Sequence, residues 1–202
     1  MAHENQSSKG LALPERRTFL SRGGALSAAA LAMMGGMPLR GLAATHGSTQ
    51  AGNDVAILNV ALGLEHEGIA AYQIGAQSGL LAKPLLDVAV LFKSHHEGHR
   101  EVLVGAIEQM GGTPTPSKSL DDYKKSSKLN INSIKTGADV LRLAQRLELG
   151  AVNAYLGVIP SFDDRGLAKV AGMLIADETM HYTALTQALG GSLPQKSMSF
   201  GS

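Results

Sequence analysis

Glu178, Thr179, Met180 and His181 put a carboxylate and an imidazole three residues apart. On a helix that spacing places both on one face, a turn apart, where they can grip a single metal ion. Leu174, Leu185 and Leu189 fall at four- and seven-residue steps from the pair, so it sits on the apolar side of its helix. Bare charge there is costly, and the polar groups need partners from elsewhere in the chain. His96, Glu97, Gly98 and His99 repeat the x-x-His spacing on a second apolar stripe that holds Leu85, Phe92, Leu103 and Met110, and His95 shares that stripe. Two further segments resemble each other: Glu65 is followed by Ile69 and Tyr72, and Glu148 by Val152 and Tyr155, so each has a Glu, a β-branched residue four on and a Tyr seven on. Seven residues return nearly to the same helix face.

The elements that must position these groups read as four helices. From Asn53, a plausible N-cap, apolar residues recur at three- and four-residue steps to about Gln77. Gly79 ends that helix and Pro84 opens the next, which turns back antiparallel and closes at Gly111-Gly112. Residues 113–135 are rich in Pro, Ser, Lys, Asp and Asn and have little periodicity, which suits a crossover along a bundle and implies parallel neighbours. A third helix over about 136–158 is stopped by Pro160. Asp163-Asp164 favour the start of a fourth, which ends at Gly190-Gly191. In each half a Glu helix precedes an x-x-His helix, so the inward faces gather Glu65, His96, His99, Glu148, Glu178 and His181. Tyr72 and Tyr155 are expected to pack and to donate hydrogen bonds beside this cluster, while His66 and Glu67 are expected on the surface.

At this point residues 54–191 resemble the ferritin-like superfamily, most closely the exported ferritin-like domain proteins of bacteria. The resemblance implies an all-α, ferritin-like four-helix bundle with a long crossover between helices two and three. It makes Glu65 and Glu148 the single carboxylates of helices one and three, His99 the second-helix histidine, and Glu178 with His181 the fourth-helix pair. Position 96 departs from the pattern, since His stands where the family has Glu. Three carboxylates with three neutral imidazoles carry −3, so two divalent ions would leave one positive charge uncompensated. A bound hydroxide, one weak site or a single ion are the alternatives. The donor types favour iron, with manganese, zinc or copper as alternatives, over magnesium or calcium. Glu65 and Glu148 are expected to approach each other across a pseudo-two-fold axis, and the Glu178-His181 half to hold its ion more tightly than the His96-His99 half. The implied chemistry is that of a di-iron oxidoreductase acting on O2 or peroxide, or oxidising iron. The alternative is a metal-free bundle with a structural or protective role in the cell envelope.

Composition agrees with helices: hydrophobic residues make up 44%, aromatics only 4%, and Trp is absent. With no Cys, zinc knuckles, disulfides and thiol chemistry are excluded. Residues 1–44 carry five Lys or Arg against two Asp or Glu, which leaves 13 against 15 for the rest, and a near-neutral remainder argues against nucleic acid as partner. The chain divides into a leader at 1–44, a linker at 45–52, the bundle at 53–191 and a tail at 192–202. Arg16-Arg17, the following Phe19-Leu20, a weakly apolar run from Gly24 to Leu39, then Arg40 and small residues to Ala44 resemble a twin-arginine export signal, with cleavage after Ala43 or Ala44 and a periplasmic or exported destination. That run is too short and too interrupted by Gly35, Gly36 and Pro38 for a stable membrane span. Association into oligomers is left open by the sequence. Changing Arg16 and Arg17 together to Lys should leave the precursor folded in the cytoplasm, as measured by cell fractionation; full periplasmic yield would refute the export reading.

Overall fold

Apolar residues at helical spacing, bounded by Gly and Pro, give four long helices in the computed structural model, which describes residues 50–201. The twin-arginine stretch and most of the linker lie outside the described residues. Helix α1 is Gln50–Gln77, α2 Lys83–Gln109, α3 the short Leu120–Lys124, α4 Gly137–Val158 and α5 Arg165–Ala188, with single 3-10 turns at Ile131–Ser133 and Ile159–Ser161. No strand occurs among the described residues. The helix ends follow local chemistry. Thr136 accepts from the Asp139 backbone N–H while the Asp139 carboxylate accepts from the Thr136 N–H, a reciprocal cap for α4. Asp164 caps α5 by accepting from the Gly166 N–H at 2.6 Å. Gly111 follows α2 at φ 75° and Gly190 follows α5 at φ 71°, a backbone region that costs glycine little.

Helix α1 lies along α2, and α4 along α5, as two hairpins; α1 also packs on α4, and of these neighbouring pairs α2 and α5 have backbones that approach least. Partner residues show the directions. Tyr72 of α1 meets Glu148 of α4 and Tyr155 meets Glu65, so these helices are antiparallel. His95 meets His181 and His99 meets Asp177, so α2 and α5 are antiparallel too. The crossover therefore joins two parallel helices, α2 and α4, across the diagonal of the bundle and not as neighbours. This corrects the sequence expectation, and the cause is that both hairpins are antiparallel and pack with their first helices together.

The crossover is itself part of the core. Leu129 is buried with Ala71, Ile74 and Leu143, so the segment lies in the groove between α1 and α4. That position explains a second correction: His66 and Glu67, expected on the surface, are both buried. The crossover covers them, with His66 Nε2 3.1 Å from the Thr115 carbonyl and Glu67 paired to Lys128. Asn53 does not begin α1, which starts three residues earlier at Gln50; its amide instead donates to the Ser161 carbonyl at 3.1 Å.

Asp54 is buried next to it and accepts from the backbone N–H groups of Asp163 (3.0 Å) and Asp164 (3.1 Å), which ties the start of α1 to the α4–α5 turn. Charged acceptors make the stronger class of hydrogen bond. Asp54→Ala should lower unfolding stability by about 1–3 kcal/mol, with Asp54→Asn losing less because one acceptor oxygen remains, as read from urea denaturation.

Candidate metal centre

Because α1 and α4 are antiparallel and in contact, their Glu residues enter the core from one side, and the x-x-His turns of α2 and α5 enter from the other. All six sequence-predicted residues, Glu65, His96, His99, Glu148, Glu178 and His181, are buried and meet in one cluster. His96 Nδ1 lies 2.7 Å from Glu65 Oε2 and 3.6 Å from Glu178 Oε1, and its Nε2 lies 3.3 Å from Glu148 Oε1. His99 Nδ1 is 3.2 Å from Glu178 Oε1 and 3.5 Å from Glu65 Oε2. His181 Nδ1 is 3.1 Å from Glu178 Oε2 and 3.5 Å from Glu148 Oε2.

Two overlapping donor sets result, Glu65, His96, His99 and Glu178, and His96, Glu148, Glu178 and His181, with the donor atoms of each set within 4.8 Å of one another. The shared residues are His96 and Glu178. Each set takes three residues from one half of the chain and a fourth from the other. Position 96 of α2 and its counterpart 178 of α5 reach the middle of the cluster, while His99 and His181, one turn on along antiparallel helices, diverge to its two ends. Glu65 and Glu148 each serve one end, and His96 stands between them.

The donors fit a cation. His99 Nδ1, Glu148 Oε2 and Glu178 Oε1 are buried without a well-aligned hydrogen bond, their close polar neighbours being other atoms of the cluster. Buried polar atoms without partners are rare, and a cation in either donor set would satisfy those that the set contains. Nitrogen and carboxylate donors in this ratio suit iron, manganese, zinc or copper.

Outer partners fix the donors. Tyr72 donates to Glu148 and Tyr155 to Glu65, each reaching across to the opposite hairpin. Burial raises both phenols well above their usual range and the nearby carboxylates add to it, so they remain donors. His99 Nε2 lies 3.1 Å from Asp177 Oδ2, and His181 Nε2 lies 2.9 Å from His95 Nδ1. Such backing orients a ligating imidazole and sets its basicity. Asp177 was not singled out in the sequence, yet it precedes Glu178 as His95 precedes His96, so the internal repeat marks the two as equivalents. Phe92 stacks on His181 with ring centroids 4.0 Å apart.

His96 is accommodated by Gly68. A Cβ at Gly68 would come 3.2 Å from His96 ring atoms, while the repeat puts Ala151 at the matching place in the second half, where Glu178 replaces the ring. Beside Gly68 and Gly150 a cavity of about 90 Å3 leads to Glu65, His96 and Glu148, with Lys128 and Arg146 among its lining.

A ferritin-like domain matches residues 53–191. The chain belongs to the ferritin-like domain family. Its fold is also similar to the crystal structure of a conserved hypothetical protein from Mycobacterium tuberculosis, at 20% identity and a TM-score of 0.61, over 74% of this chain and 99% of that one. No curated protein matches the sequence. Among the described residues no helix is long and apolar enough to cross a membrane.

Ionisation in the metal-free cluster is mutual. Burial pushes Glu65 up, but the hydrogen bond from His96 and the nearby His99 imidazole outweigh it and hold its carboxyl down at about 2. Burial likewise opposes charge on His99, yet the Glu178 and Glu65 carboxylates 3.2 and 3.5 Å from its Nδ1 raise it to about 10, and neighbouring carboxylates raise His96 and His181 as well. Glu178 is raised, with burial as the largest cause and Glu148 adding to it. The imidazoles therefore hold protons that a metal must displace. Stability from His99 is full below 6.5 and lost as pH rises through about 10; stability from Glu65 is full above 4.5 and lost as pH falls toward about 2. The metal-free protein should accordingly be most stable between these limits, and metal binding at pH 7 should release protons, as measured by denaturation across pH and by calorimetry in buffers of different ionisation enthalpy.

Proposed function

We propose that this is an exported ferritin-like protein that holds iron between its two hairpins and uses it in oxidative chemistry with dioxygen or peroxide. The observation that carries the reading is a buried six-residue cluster of carboxylates and imidazoles that forms two overlapping donor sets and leaves three donor atoms without a well-formed hydrogen bond. Bound iron supplies one-electron exchange with dioxygen or peroxide. The chain supplies the rest. Tyr72 and Tyr155 hold one oxygen each of Glu148 and Glu65, leaving the other free to bind; His95 and Asp177 fix the rings of His181 and His99. Export is supported by the Arg16-Arg17 leader alone.

The proposed ligands are Glu65, His96, His99, Glu148, Glu178 and His181. A neutral imidazole has one free lone pair, so His96 serves one ion at a time, with its other ring N–H facing a carboxylate. One ion held through Glu178 and His96 leaves −1, which one retained imidazole proton offsets, whereas two leave +1 unless hydroxide binds with them. The metal-free alternative draws on one observation: His96 already links Glu65 and Glu148 by contacts of 2.7 and 3.3 Å, which can share protons without metal.

Elemental analysis and absorption spectroscopy of protein matured by its own export route decide between them. The parent should carry about one iron, Glu178→Ala none, and His96→Glu two, because it supplies the missing charge in the space beside Gly68. Absence of metal from all three would leave the hydrogen-bonded bundle as the function-bearing form.

A further inference from the structure

A cleft of about 100 Å3 enters the bundle between α2 and α5, on the side of the metal centre toward the α1–α2 turn. Val88, Ala184 and Ala188 are its exposed rim, Ala89, Leu141 and Leu185 its buried walls, and Tyr72 with Phe92 its inner end. Every residue along it is apolar except for the Tyr72 hydroxyl, which is already committed to Glu148. Water in a buried space needs two to four polar partners, and a site with none stays dry. The space is not an accident of one missing side chain. Small residues line it on all four long helices, among them Gly75, Ala89, Ala144 and Ala184, and a Cβ at Gly75 would come 2.8 Å from Val140 Cγ1, so the wall cannot thicken there without displacing the Val140 side chain.

The inner end is one side chain thick. Phe92 and Tyr72 meet edge to face at 6.1 Å, and behind them lie His181, stacked on Phe92 at 4.0 Å, and Glu148, bonded to Tyr72. The cleft thus ends against the His181 and Glu148 side of the cluster, separate from the cavity that carries Lys128 and Arg146.

We infer that this cleft is a binding site for an uncharged, apolar molecule of about the size of dioxygen, held against the Phe92 and Tyr72 wall of the metal centre. Size and polarity select the occupant. A dry cavity of ~150 Å3 takes benzene or xenon, so this one suits a diatomic gas or a single xenon atom, and an extended acyl chain would not fit. Peroxide and ions, which need polar partners, are excluded from an apolar wall. What the molecule does there rests on the iron and dioxygen reading; its binding does not.

The test begins with crystals of metal-free protein under xenon pressure. A xenon atom should appear in the cleft, in contact with Phe92 and Leu141. Ala144→Leu should fill the space, abolish the xenon peak and leave iron content unchanged, while slowing the reaction of the iron-loaded protein with dioxygen several-fold in stopped-flow absorbance. Should Ala144→Leu fail to fold, Leu185→Phe serves in its place. No xenon in the parent cleft, or ordered water there, would overturn the inference, and a filled variant that reacts at the parent rate would overturn a role for the cleft in the reaction with dioxygen. Xenon in the cleft of a protein that takes up no iron would support the site and refute the metal reading, so the two fail separately.

Discussion

Three carboxylates and three imidazoles buried at the middle of a helical bundle set the condition that the rest of this fold must meet. Each group alone would lose several kcal/mol on leaving water. Together they offset one another, and the pKa directions show how: Glu65 and Glu148 are driven down by the same histidines that they drive up. Glu178 has burial and a second carboxylate against it and goes the other way. The phenols that cross between hairpins and the capping contacts of Asp54 hold the helices in the register that lets this compensation occur.

The two halves are related by an approximate two-fold that extends past the six central residues. Tyr72 and Tyr155, Gly68 and Ala151, and His95 and Asp177 are equivalent pairs by position. Where the pairs differ, the differences are coupled. A ring at 96 requires a missing Cβ at 68, and the change from Asp177-Glu178 to His95-His96 removes two negative charges from the first half. His99 is consequently backed by an anion and His181 by an imidazole, so the two ends of one cluster present different basicities to whatever they hold.

The helices were legible because their apolar residues keep a helical period and their ends carry Gly, Pro and acidic caps. The six central residues were legible because charge on an apolar stripe, repeated twice, has few explanations. Sequence reasoning went wrong where tertiary partners decide. Nothing local says that the crossover buries Leu129 and lays itself over His66 and Glu67, since its polar composition reads as a solvated loop. Which of Glu65, His96, Glu148 and Glu178 stand at the middle depends on the relative heights of four helices, a quantity that spacing within one helix does not contain. Asp177 escaped notice because an acid beside a Glu looks like one more solvated charge, and it is half exposed.

The crossover has a consequence beyond packing. Both donor sets draw on residues from the two hairpins, so neither hairpin owns a site. If two identical hairpins met as separate chains, whatever residue occupied position 96 would be forced on position 178 as well, and the cluster would be either all carboxylate or all imidazole at its middle. Joining the hairpins through residues 110–136 releases that constraint. Covalent connection allows equivalent places to hold different side chains, and the inequality of His96 and Glu178 is a property that a pair of identical hairpins could not carry.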